Sequence, residues 1–162
     1  MKRFLSIFLS ILVVIGCLVP NYAFAADNSE YNSEFTQEEF ESLEHVYAVS
    51  IQPYTSGLIV GHTLGIAKDG SDLLITGSTS GSSSVVKCGF TKVVIQRRTS
   101  SNASWTNYKT FTDLYDDDNR YQLSKRVPVT SGYQYRVTAT HYAKKSLLST
   151  QKIEATTGSL SF

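Results

Sequence analysis

From Ser131 the chain reads SGYQYRVTATHYA, with Tyr133, Tyr135, Val137, Ala139 and His141 alternating with Gln134, Arg136, Thr138, Thr140 and Tyr142. Successive side chains of a strand point to opposite faces, so this segment is a strand with one dry side and one wet side. Similar runs, broken by clusters of Gly, Ser, Asn and Asp, fill the chain from Leu58 onward. They predict strands over about 59–67, 73–78, 90–99, 105–112, 121–129, 133–143 and 149–156. KDGSD, TSGSSS, TSSNAS, YDDDN and TSG supply the turns between them. Ahead of the strands the period changes. Thr36 and Glu39 have the spacing of a capping box, Phe35 and Phe40 that of a hydrophobic staple, and Phe40, Leu43 and Tyr47 recur on one helical face. These residues predict one short helix over about 36–46, with its first acids against the positive end of the helix dipole.

Seven strands in about a hundred residues, with turns at this spacing, predict an all-β fold, a seven-stranded immunoglobulin-like antiparallel sandwich. A barrel of the same strand count is the rival architecture. Gly132 followed by Tyr135, Val137 and Ala139 resembles the corner and sixth strand of fibronectin type III domains. The resemblance implies that the Tyr135 hydroxyl returns to the preceding backbone and that Tyr135 is the structural corner. In FTKVVIQRR, Val93 and Ile95 point inward, while Lys92, Val94, Gln96 and Arg98 point outward. The order of IQRR, Trp105, GYQYRVTATHYA and the closing ATTGSLSF is similar to a family of small secreted proteins of unknown function from Gram-positive bacteria, over about Val49 to the C-terminus. That resemblance implies export and a sandwich, and it brings neither an activity nor site residues.

The N-terminus changes the picture of where the chain works. Lys2 and Arg3 precede an apolar run that ends at Pro20, and Ala23, Phe24 and Ala25 follow as a small-x-small site, the pattern of a secretory signal peptide over 1–25. The apolar run is shorter than the ~20 residues that cross a bilayer, so the chain is not read as membrane-spanning. VVIGC resembles a lipoprotein cleavage box, which would anchor the protein through Cys17. Leu18 and Val19 carry the apolar segment past that cysteine, and this favours cleavage after Ala25, with Ala26 as the second choice. Removal of the signal leaves an acidic leader over 26–57 and a β-sandwich domain over 58–162.

Charge divides along the same line. Without Lys2 and Arg3 the chain has 13 basic and 14 acidic residues. Seven of the acids, from Asp27 to Glu44, fall before the first base at Lys68, so the sandwich itself is basic. An extracellular setting and the lack of a long basic run exclude nucleic acid as a partner. Cys88 alone survives in the mature chain, so no internal disulfide forms and the core holds the fold by itself. Cys88 reads as a small apolar residue at a strand start, with an intermolecular bridge as the other use of it.

The chemistry-bearing residues do not gather into a catalytic pattern. His45, His62 and His141 have no ligand spacing, so no metal is expected. Asp116, Asp117, Asp118 and Asn119 lack the alternating acids, the glycine and the distal glutamate of a calcium loop and read as a solvated turn. Serines are abundant, but none sits in a GxSxG or SxxK setting, and no cofactor motif occurs. What remains is a candidate binding face, made of outward Lys92, Gln96, Arg98, Arg136 and Tyr142 with Trp105 and Lys109 nearby. Arg, Tyr and Trp carry most contact energy in recognition surfaces. The expectation is a secreted, non-enzymatic recognition or adhesion domain, with an anionic cell-wall polymer, a polysaccharide or an extracellular protein as ligand. The rivals are a cell-wall-active or peptide-processing enzyme and a structural or inhibitory secreted protein.

Mass spectrometry of the protein recovered from the medium should find an N-terminus at Ala26 or Asp27. A lipidated N-terminus at Cys17 would overturn both the cleavage site and the free, soluble localisation.

Overall fold

A computed structural model describes residues 35–49 and 57–162. The expected signal segment 1–25, its cleavage site and Cys17 lie outside the described residues. In chain order the described elements are α1 Gln37–Ser42, β1 Glu44–Tyr47, β2 Ile59–Asp69, β3 Asp72–Gly81, β4 Lys87–Arg98, β5 Thr106–Asp116, β6 Arg120–Pro128, β7 Gln134–Ser146, β8 Ser149–Thr156 and β9 Leu160–Ser161. The strands form two antiparallel sheets, one in the order β1-β2-β3-β6 and the other in the order β5-β4-β7-β8, with β9 paired to the start of β7. Strands β2 to β8 run where the alternation placed strands, and β1 and β9 are additions at the two ends. No described helix is long and apolar enough to cross a membrane.

The two sheets share one core. Leu64, Ile66, Leu73 and Ile75 from the first sheet meet Phe90, Val93, Ile95 and Val137 from the second, all buried. Leu64 and Ile66, Leu73 and Ile75, and Val93 and Ile95 hold alternate positions of their strands, as a period of two requires, while Phe90 reaches the same inner face across the register shift between Phe90 and Lys92. Part of the outer face of the first sheet is covered as well. Phe40 of α1 is fully buried against Ala67 and Leu74, with Phe35 stacked beside it at 6.0 Å between ring centroids. Thr36 caps the helix by accepting the Glu39 N–H, as the capping-box spacing required. The Glu39 carboxylate turns instead to Arg126 of β6, which also takes Asp69.

The helix is shorter than the expected 36–46. It stops at Ser42, Leu43 is extended, and Glu44–Tyr47 pair with Gly65–Lys68 as an edge strand. An unpaired β2 edge offers four residues' worth of ladder partners, whereas one more exposed helical turn offers none outside itself. The apolar residue at helical spacing is still used: Tyr47 reaches Phe40 from the strand, at 5.6 Å between ring centroids.

Tyr135 is fully buried, and its hydroxyl returns to the chain five residues upstream. It accepts the Thr130 N–H at 3.0 Å and donates to the Thr130 carbonyl at 2.9 Å. Gly132 makes the bend possible with φ +84, a conformation that side chains with a Cβ rarely adopt. Tyr108 and Phe162 meet the Tyr135 ring edge-on at 5.6 and 5.4 Å.

Tyr135→Phe keeps those ring contacts and removes both hydrogen bonds. It should lower stability in denaturant melts by about 1–2 kcal/mol, while Tyr133→Phe should change it by less than half as much. Equal or reversed effects would move the corner to the other tyrosine.

Candidate functional site

α1 covers part of the first sheet, the outer face of β5-β4-β7-β8 carries no helix among the described residues, and six of the seven sequence-predicted residues lie on strands or turns that border it. Residues paired directly across antiparallel strands point to the same side. By this rule the row Gln96–Arg136 and the row Arg98–Gln134 are outward, since Ile95 and Val137 beside them are in the core. Lys92, opposite Thr140, and Tyr142, opposite Gly89, are outward as well.

At one end of this face the predicted residues assemble into a network. Arg98 and Arg136 both stack on the half-buried Trp105 ring, with guanidinium carbons 4.3 and 4.4 Å from its centroid. Arg98 Nε donates to Gln134 Oε1 at 2.9 Å, and its Nη1 donates to the Ser101 carbonyl at 2.8 Å. Arg136 Nε donates to Gln96 Oε1 at 2.9 Å, and Gln96 Nε2 donates onward to Asn107 Oδ1 at 3.1 Å. Each fork is therefore held by its Nε edge. Among the described residues neither guanidinium has a carboxylate partner. Burial, and after it the Arg98 charge, lowers the pKa of Arg136 from that of a free guanidinium. Two cations gathered on one indole repel each other within a Debye length, ~10 Å at 0.1 M salt.

The middle of the face is a shallow groove of about 240 Å³ between β4, β7 and β8, with Val94, Thr138 and Thr140 in its floor and Lys92 and Glu154 on its sides. Tyr142 stands at the far end, near Tyr115, with 6.0 Å between ring centroids. Gly89 lies between the two, and a Cβ there would come within 2.2 Å of the Leu114 carbonyl oxygen. Tyr142 is six residues from Arg136 along β7, about 20 Å at the rise of a strand. The two ends therefore share a face without touching.

Lys109 is not on this face. It pairs with Ile95 and points to the inner side of β5, where its ammonium lies 5.1 Å from the Phe111 centroid. The register slips between Ile95 and Gln96, so that Asn107 answers Gln96 and one extra residue separates it from Lys109. A bulge of this kind reverses which residues face out, and counting in twos from Trp105 could not see it.

The fold also makes a pair that spacing did not foretell. His62 and His141, on opposite sheets, approach to 4.8 Å between ring centroids at the inner face. Thr79 Oγ1 donates to the Gly89 carbonyl at 2.9 Å and so accepts the Nδ1–H of His141, also at 2.9 Å. That fixes the neutral tautomer and leaves Nε2 of the fully buried ring as an acceptor without a hydrogen-bond partner. Burial, with the nearby His62 second, pushes the His141 pKa down to about 3. Cys88 is buried alongside, its thiol donating to the Thr79 carbonyl, and burial raises its pKa to about 11. A thiol so placed is a core side chain out of reach of another molecule's cysteine. Among the described residues no three of His, Cys, Asp and Glu are placed to hold a metal ion. The acidic loop is tied down as a turn, with Asp117 on Lys87 at 2.8 Å. No protein-family model matches the chain, and no curated protein or solved structure does either.

The buried neutral His141 sets an acid limit on stability. Its pKa in the folded chain, about 3, is below the 6.5 of a free imidazole, so the unfolded chain takes up the proton first as pH falls. Stability is complete above about pH 6.5 and is lost on the way down to about pH 3, by up to about 1.4 kcal/mol per pH unit. His141→Phe should remove most of that slope in urea melts between about pH 7 and pH 4. An unchanged slope would mean that His141 is already charged in the folded protein.

Proposed function

We propose that the protein is an exported, non-catalytic recognition domain whose open sheet face holds anionic polymers outside the cell. One observation carries this reading: Arg98 and Arg136 are stacked on Trp105, fixed by glutamines and a carbonyl, and left without a carboxylate among the described residues. A guanidinium stays charged at every physiological pH, so it carries no protons in catalysis and suits the two-point holding of carboxylate or phosphate. Their mutual repulsion is relieved when an anion arrives. The groove next to them adds threonine hydroxyls, Lys92, Glu154 and the apolar Val94 and Ala155, a lining suited to the hydroxyls and ring faces of a sugar chain.

The strand order β2-β3-β6 against β5-β4-β7-β8, with the tyrosine return to Thr130, supports a fibronectin type III kind of sandwich. Domains of that architecture present flat sheet faces and loops, and here one such face is basic. The leading lysine and arginine, the apolar run and the Ala25 site support export, and the anions met outside the cell on that reading are wall polymers and acidic polysaccharides.

Replacing Arg98 and Arg136 together by Ser should weaken retention on purified anionic wall polymer by on the order of tenfold, which is 1.4 kcal/mol, and flatten its dependence on salt. Circular dichroism should remain that of the parent. Unaltered retention in the double variant, or no retention of the parent at low salt, would remove this face from consideration.

A further inference from the structure

The two residues at the tip of the β7–β8 hairpin do nothing for the fold. Ser146 pairs with Ser149, and between them Leu147 is 87% exposed and Leu148 100% exposed. Two-residue hairpin turns are ordinarily made by Gly, Asn or Asp, whose backbones suit the bend and whose surfaces suit water. Here the most solvated positions carry the most lipophilic side chains. Lys144 and Lys145 precede them with Ser146 between, and exposed Lys152 follows on β8 beside Tyr142. Val86, itself 55% exposed, donates its N–H to the Lys144 carbonyl at 2.9 Å and adds a third apolar side chain at the root of the hairpin.

We propose that this hairpin tip is a membrane-docking device, in which Leu147 and Leu148 enter the surface of an anionic bilayer while Lys144, Lys145 and Lys152 hold lipid phosphates. The argument is one of chemistry and of height. An apolar tip with an ammonium collar matches a surface that is hydrocarbon inside and phosphate outside. Lys144 lies three residues from Leu147, about 10 Å along a strand, and residues at a bilayer boundary bury their apolar parts ~5–10 Å deep. When the leucines reach hydrocarbon, the lysines stand at the phosphates, where their flexible stems let the charges stay in the polar layer. A protein partner fits less well, because specific protein interfaces bury roughly 1,200 Å² or more and two leucines with one valine present only a fraction of that. Insertion into lipid needs no complementary shape.

Charge on the neighbouring loops sets the tilt. Asp116, Asp117 and Asp118 are at the same end of the sandwich but follow β5, two strands away from β7 in the sheet order, or about 10 Å to the side. Asp117 is occupied by Lys87. The acidic edge is repelled from an anionic surface, so the domain docks with its β8 edge leading.

The experiment uses the mature chain and sedimentation with unilamellar vesicles, either of phosphatidylcholine alone or with one third of it replaced by phosphatidylglycerol. The parent should bind the anionic vesicles and not the neutral ones. Leu147→Ser with Leu148→Ser should lower the partition coefficient tenfold or more, and Lys144→Ser with Lys145→Ser should do so at low salt. Because Cys88 is buried, a thiol introduced by Leu148→Cys takes an environment-sensitive fluorophore selectively, and its emission should shift to the blue on the anionic vesicles. The leucine variant should keep the parent's retention on wall polymer, which separates this surface from the arginine face. Several results would overturn the proposal: no binding of the parent, binding indifferent to the leucines, no spectral shift, or a vesicle-free dimer that disappears in the leucine variant.

Discussion

Phe40 seals the apolar strip on the outer face of the first sheet, and the seat of the helix there depends on it. The outward residues beneath it, Ala67 of β2 and Leu74 of β3, are as completely buried as the core itself, although they alternate with core residues along their strands. A six-residue helix has almost no stability of its own, since the cost of nucleating it is recovered only by packing. Here the packing is supplied by Phe35, Phe40 and Leu43 on one side and the threonine cap on the other. Without this seat the first sheet would show a hydrophobic strip to water. With it, that strip is sealed, and the outward residues of β4, β5, β7 and β8 form the sheet face that carries no helix among the described residues.

The same seat sorts the charges. The stretch before β2 is acidic in sequence and the strands after it are basic, and α1 packs on the first sheet, where Arg126 draws its Glu39 together with Asp69. Acid is thereby engaged on the side that carries the helix, while Arg98, Arg136, Lys92 and Lys152 lie on the other sheet with Glu154 beside them. The resulting field is directional even though the whole chain, at +1, is close to neutral, and a directional field governs encounter with charged surfaces at long range.

Legibility in the sequence followed the range of the interactions. The strand SGYQYRVTATHYA could be read because a period of two is local, and Tyr135, Val137 and Ala139 are all in the core. The threonine cap and the phenylalanine staple were equally local. Failures came where something distant intervened. The helix was cut at Ser42 because β2, more than a dozen residues later, had an edge to pair, and Glu44–Tyr47 satisfied it. Lys109 changed sides because β5 took in an extra residue opposite β4. His62 and His141 are 79 positions apart and meet because two sheets close on each other, a fact that ligand spacing cannot express. The leucine pair of KKSLLST was legible in principle, as an apolar doublet at a turn where Gly or Asn is the usual choice. Its signal is weak because turn chemistry resides in the breaker residues, and these two positions carry none.

The arginine face and the leucine tip are joined by a single strand, and this makes the two proposals mechanically compatible. Arg136 is near the start of β7, and Leu147 is the first residue past its end, eleven positions on, or about 36 Å at the rise of an extended strand. Both ends of that strand are braced, by β9 and the Tyr135 return at one end and by β4 and β8 at the other. A domain standing on its hairpin would therefore carry Trp105 and its two guanidiniums several Debye lengths above the lipid phosphates, out of their field and free to hold a different anion. Had the arginines been placed beside the tip, one anionic surface would have competed with the other. Separation along a stiff sheet lets a small domain address two anionic layers at once.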